Sequence, residues 1–411
     1  MKKYLCLLVA VLLVLTDAMA ENVFRVGNLW YTDTYMGSKL AEDEVCVTAS
    51  PEGSIYYDST ITVPAKVEYN GREYNVVNIR HEAFYQCYLL EELIIEAPIK
   101  ELKDLGCDHC YNLRRVVFPG ILELLGGFED CTHLEYVVLP DNLKKIYWRS
   151  FQFCNIRSLK FPHGFEAVAQ YSFMYSAIDE IEFKGVKVFF DEAFSRLAKA
   201  PTVLKFPSSL LHFAYYSFSF NELDEIWLEE PAGDYVLSFD YGAFYNTSAS
   251  RIYCNSRRVP RLYGPAPWLE ENPEPYDPSS GEEPLVFPFK NPDNGISNLA
   301  DLKSIKLYVP EGCRELYQAH HYWGNFDIEE MDFSAGVAET LSDVADPFMA
   351  LAGEGVIEFE AVEDVDINVY DASGRSVAIA RLVAGDNRTL SLPACIYIAV
   401  ASGHSVKVAV R

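Results

Sequence analysis

The sequence predicts a β-rich, right-handed solenoid of stacked coils, capped at both ends and followed by a small C-terminal β-sandwich. Three observations predict it. A phenylalanine-led segment returns every 21 to 26 residues, each copy contains a short stretch of period-2 alternation, and the last sixty or so residues change to longer alternating strands.

In chain order, residues 1–20 read as a signal peptide. Lys2 and Lys3 precede the apolar run Leu5 to Leu15, and Ala18-Met19-Ala20 is a small-x-small cleavage site. No second apolar stretch of spanning length follows, so no transmembrane helix is expected after removal of the signal. Residues 21–78 are assigned to an N-terminal cap and the approach to the array, with WYTDTY and EVCVTAS as short strands over the open end.

The array is expected over 79–263. Its copies include FYQCYLLEELII, CDHCYNLRRVVFP, FEDCTHLEYVVLP and FQFCNIRSLKFP, with first slots at Phe84, Cys107, Phe128, Phe151, Phe173, Phe194, Phe218 and Phe244. The steps are 23, 21, 23, 22, 21, 24 and 26 residues. A period in the low twenties is that of leucine-rich repeats. Alternation such as Leu159-Lys160-Phe161 marks a half-buried strand, and the proline after it ends the strand because it donates no ladder bond. A lone coil cannot offset its ordering entropy, whereas stacked coils share a core.

Residues 264–300 are expected to be an exposed insertion rich in Pro, Gly and acidic residues. Residues 301–332 read as the last coil and cap, with a strand from Leu302 to Val309 and a short helix from Arg314 to His321. A linker is assigned to 333–353 and a β-sandwich to 354–411.

The chain resembles the BspA-like leucine-rich-repeat surface proteins of Bacteroidetes. The resemblance is carried by the Ala-Phe-x-x-Cys-x-x-Leu repeat seen at Ala83-Phe84, by VPAKVEYNGREYNVVNIRHEAF at 63–84 and by LYVPEGCRELYQAHHYWGNFDIEEM at 307–331. It implies a secreted or cell-surface binding or adhesion protein, at the outer membrane or extracellular. Later copies depart from it, with Ser176, Leu197, Asn221 and Thr247 in the Cys slot. VYDASGRSV at 369–377, LPACIYIAV at 392–400 and the terminal SVKVAVR resemble a type IX secretion sorting domain, although Cys395 stands where that family has Gly.

Composition narrows the function further. Among 411 residues the formal charge is −26. Such acidity repels phosphate backbones, so no nucleic-acid partner is expected. The Walker, Rossmann, Gly-x-Ser-x-Gly and His-Glu-x-x-His signatures are absent from the sequence, and no enzyme, metal or cofactor is expected. Cys107-Asp108-His109-Cys110 has zinc-like spacing but no second pair. Cys87, Cys110, Cys131 and Cys154 share one repeat slot, so they are read as a structural column of small buried fillers. Adjacent His320 and His321 point in different directions on a helix and suit no shared metal.

The candidate binding surface is the outer face of the strands. Its central row is Ile94, Val117, Val138, Lys160, Glu182, Lys205, Trp227 and Tyr253, and the flanking row includes Tyr136. Of these, Trp227, Tyr253, Tyr136, Ile94, Val117 and Val138 are the residues expected to bind a host or bacterial surface protein or a glycan. The other reading is a structural component of a surface assembly.

Overall fold

The structure is a computed structural model that describes residues 21–51, 56, 58–81, 83–103, 106–262, 288–289 and 298–333, and strands within 348–410. The expected signal peptide and most of the expected insertion lie outside the described residues. The chain divides into two compact units, Met1–Met331 and Asp332–Arg411.

In the first unit a five-stranded sheet covers the start of the array, with Glu44–Thr48 at its centre. Parallel coils follow. One side of each coil is a two-residue strand, and these form a continuous eight-stranded ladder from Glu101–Leu102 to Arg261–Leu262. The other side carries strands of two to six residues, from Thr60–Val63 through Ala177–Glu182 and from Val203–Phe206 through Asp327–Met331.

The core is a column of phenyl rings. Phe128, Phe151, Phe173, Phe194, Phe218 and Phe244 are all fully buried. Successive centroids lie 5.4, 5.2, 4.7, 5.0 and 5.6 Å apart. This spacing follows from the ladder, because residues in equivalent slots of neighbouring coils are separated by one inter-strand step. Each buried ring contributes about 1.5–3 kcal/mol of apolar transfer.

The column does not end at Phe244. Phe289 stacks on it at 5.0 Å and 5°, and is 3% exposed. Phe244 N–H donates to Pro288 O, as Phe218 N–H donates to Ala243 O in the coil before. The expectation of an exposed insertion over 264–300 therefore fails at Phe289, which is a ninth core slot. The 45-residue step from Phe244 hides it from any period count.

The Cys slot also works differently from the expectation of an apolar filler. Cys110, Cys131 and Cys154 donate their S–H groups to the carbonyls of Phe84, Cys107 and Phe128, at 3.1, 3.2 and 3.2 Å. Further along, Ser176 donates to Phe151 O, and Asn221 donates to Phe194 O. The slot selects a small donor that satisfies a buried carbonyl, which joins Cys, Ser and Asn as equivalents. Leu197 cannot donate, and Asn221 Oδ1 accepts its N–H, while Thr247 donates to Phe244 O of its own coil. The described cysteines are free and buried, and burial pushes the Cys107 thiol up to about 11. Cys131→Ser is therefore expected to unfold near the wild-type urea midpoint. Cys131→Val, which removes one of the two hydrogen bonds to Cys107 O and leaves that of Cys110 N–H, is expected to cost about 0.5–1.5 kcal/mol. A valine variant as stable as the serine one would refute the donor role.

Towards the C-terminal cap, the strand expected from Leu302 is shorter. Residues Leu299–Ser304 form a 3₁₀ helix, because Asn298 and Asp301 cap it reciprocally, and the strand begins at Lys306. The expected helix is the single turn Arg314–Gln318. His320 Nδ1 accepts the backbone N–H of Tyr322 at 3.2 Å.

The second unit, taken by itself, has a three-stranded and a four-stranded sheet, both antiparallel. Ile357, Phe359, Ile367 and Val369 are buried in it. Phe348–Ala352, expected within the linker, is a strand paired with Val356–Ala361.

Candidate functional site

The long strands alternate as the sequence requires. Leu93, Val116, Leu159, Leu204, Ile226 and Ile252 point inward and are buried. The residue after each of them stands in the outer row. Strand pairing aligns Thr62, Ile94 and Val117, then Lys160 with Glu182, then Lys205, Trp227, Tyr253, Tyr308 and Glu329.

The outer row is split between two sheets, which corrects the expectation of one continuous face. The strands Ala177–Glu182 and Val203–Phe206 belong to different sheets, joined by one bridge between Ala177 and Lys199. Spacing explains the break. Glu182 lies nine residues after Phe173, and Trp227 nine after Phe218, but Lys205 lies eleven after Phe194. Two extra residues and Pro201, which donates no ladder bond, prevent that coil from pairing in register.

The N-terminal half-face groups Ile94, Val117, Val138 and Tyr136. Val138 is 68% exposed and Tyr136 is 53% exposed. The Arg157 guanidinium lies over the Tyr136 ring at 5.6 Å and also pairs with Glu135 at 2.9 Å. The C-terminal half-face is built differently. Trp227 and Tyr253 stack at 3.8 Å and 8°, and Tyr253 and Tyr308 at 4.7 Å and 8°. Lys205 Nζ lies 5.7 Å from the Trp227 ring at the end of this ladder.

Ion pairs frame the ladder. Glu225 accepts from Trp227 Nε1 at 3.0 Å and from Arg251 at 3.0 Å. Lys306 contacts Glu329 at 2.8 Å and Asp327 at 3.2 Å, and these hydrogen bonds raise its pKa. Burial raises the Tyr253 phenol. Tyr308 is the ladder member that sequence reasoning missed. Its strand, KLYVP, was legible, but the long step after Tyr253 concealed its register.

One cluster has the residue types of a hydrolase triad. His212 Nδ1 lies 2.8 Å from Ser238 Oγ, and Nε2 lies 3.3 Å from Asp240. The imidazole is 1% exposed and Ser238 Oγ also donates to Leu211 O, so the trio secures a buried histidine in the short-strand ladder.

The stacked parallel strands, the phenylalanine column and the side-chain rows define a leucine-rich-repeat solenoid. Six copies of the BspA type leucine rich repeat region match it, over residues 66–127, 126–223 and 171–259. The array belongs to the BspA-type leucine-rich repeats. Among curated proteins none matches the sequence. Solved structures similar to the chain include a leucine-rich repeat protein from Bacteroides ovatus, at 15% identity and TM-score 0.41, covering 75% of this chain and 76% of that one. A leucine-rich repeat protein of T. pallidum has 18% identity and TM-score 0.37, covering 54% and 87%. A leucine-rich cell surface protein from Faecalibacterium prausnitzii has 14% identity and TM-score 0.29, covering 76% and 96%. No helix among the described residues is long and apolar enough to cross a membrane.

Proposed function

We propose that this is an exported surface protein that binds a protein partner through the strand face of its C-terminal half-array, and that it is not an enzyme. The observation that carries this reading is the ladder Trp227–Tyr253–Tyr308. Its rings cover one another's faces, and Lys205 lies over the free end. Sugars stack on exposed ring faces. A closed ladder instead presents ring edges, a phenol row and ordered charges, which suits the aromatic and arginine-rich anchors of protein interfaces. Large rigid rings also bind at low cost in side-chain entropy.

The apolar half-face of Ile94, Val117 and Val138 extends the reading to a second contact on the same partner. The C-terminal unit then serves export or surface retention, the role its resemblance to sorting domains implies. Host and bacterial surface proteins captured by the full chain, alongside a panel of neutral and acidic glycans, test the proposal. Retention of protein that Trp227→Ala and Tyr253→Ala both abolish is expected. Glycan binding unaffected by either change would reject it.

A further inference from the structure

A second surface lies on the turn edge that encloses the phenylalanine column. Two positions per coil there adopt left-handed backbone. The residues two after the column slot are Gln86, His109, Asp130, Phe153, Tyr175, Arg196, Phe220 and Asn246, with φ between 55° and 62°. The residues two before it include Arg149, Tyr171, Glu192 and Tyr216, with φ between 51° and 60°. For a non-glycine residue this conformation costs about 1–2 kcal/mol, and Gly or Asn relieves it. From the fourth coil onward the sequence instead places rings at several of them, namely Phe153, Tyr171, Tyr175, Tyr216 and Phe220. Phe153 and Tyr175 are more than a third exposed, as are their neighbours Trp148 and Tyr215. Neither backbone preference nor core burial accounts for these side chains.

Twice along this strip the chain seats its own guanidinium on a ring. Arg149 lies over Trp148 at 4.4 Å, with Glu129 at 3.7 Å, and Arg196 lies over Phe220 at 3.8 Å. Rings also gather in the coils headed by Phe194, Phe218 and Phe244. Tyr215 meets Tyr216 edge-on at 4.2 Å and lies 5.9 Å from Tyr241. Gly242 admits Tyr216, because a Cβ there would lie 2.7 Å from its ring. Asp191 accepts a hydrogen bond from the Tyr215 backbone and lies within the field of Asp240, which precedes Tyr241. Among the described residues no Arg or Lys of the chain lies over Tyr215 or pairs with Asp191. Gln170 donates to Asp191 at 3.2 Å, and His212 is shared with Asp240. Burial, and then the charge of Asp240, hold the Asp191 carboxyl above its usual range, a cost that an added cation relieves.

We propose that this corner receives an arginine or lysine side chain of a basic protein segment, seated beside Tyr215 against Asp191 and Asp240, with the turn edge of the fourth to eighth coils as its docking surface. The occupant follows from charge complementarity and from the two places where the same strip already holds a guanidinium on a ring. This surface is distinct from the strand face and stands or falls separately.

The test uses the full chain and a fluorescent hexa-arginine peptide, with hexaglutamate as control. Saturable binding of hexa-arginine alone is expected. The double variant Tyr215→Ala with Asp191→Asn should weaken it at least tenfold. Asp191→Asn by itself keeps size and an acceptor oxygen, so it guards against misfolding and should weaken binding several-fold. Glu68→Gln, which removes one charge from an exposed position of the N-terminal sheet, should leave it unchanged. Absence of saturable binding, or affinity undiminished in both corner variants, would overturn the proposal. An equal loss in Glu68→Gln would also overturn it, because the peptide would then be reading only the general acidity of the chain.

Discussion

Replacing Phe173 by alanine is expected to destabilise the array by about 3–5 kcal/mol, the range for deleting a buried phenyl ring. Phe173 is fully buried, with Phe151 at 5.2 Å on one side and Phe194 at 4.7 Å on the other. Neighbouring coils hold a cavity open because their backbones are tied by the ladder, so collapse around the missing ring is limited. In a solenoid the loss is local first, since each coil contacts only its neighbours. The urea midpoint should fall, and amide exchange should accelerate in the coils headed by Phe151, Phe173 and Phe194 before the rest. Phe153→Gly is the contrasting change. It removes a ring that is 39% exposed and stacked on Tyr175 at 5.1 Å but relieves a φ of 60°, so the effects offset and stability should stay within about 1 kcal/mol of wild type. If both variants unfolded at the same midpoint, the division between inner column and outer strip would be wrong.

The second large effect concerns binding. Trp227→Ala or Tyr253→Ala should weaken capture of the protein partner by about 2–4 kcal/mol, roughly 30- to 1000-fold, as for central aromatic anchors. The loss arises because each truncation opens the ladder and admits water between Glu225, Arg251 and Lys306. Folding stability should drop only by the value of one stacked pair, about 0.5–1.5 kcal/mol. Isothermal titration beside thermal melts separates the two. Unaltered affinity in both variants would remove the strand face from the interaction. A fall in melting temperature large enough to explain the binding loss would recast the ladder as structural.

The sequence by itself determined the repeat, its period and the column of Phe128, Phe151, Phe173, Phe194, Phe218 and Phe244. Equal steps along a chain whose strands pair in parallel leave those rings no other place. It also put Trp227 beside Tyr253, since both lie nine residues after their column phenylalanine. The C-terminal strands were legible from alternation alone, except Phe348–Ala352, whose FMALA run shows no alternation and so read as linker.

Only the tertiary structure decided the remainder. The Cys slot proved to be a donor site, because the carbonyl it satisfies belongs to the preceding coil and leaves no trace in local sequence. Phe289 and Tyr308 joined their columns across intervals that no period predicts. The outer strand face divided at Lys205, where two extra residues shift pairing between coils. The aromatic turn edge was invisible because its residues follow no polar or apolar alternation. They lie in left-handed backbone, and that conformation is imposed by the hydrogen-bonded stack of coils and not by the preference of Phe153, Tyr175 or Tyr216.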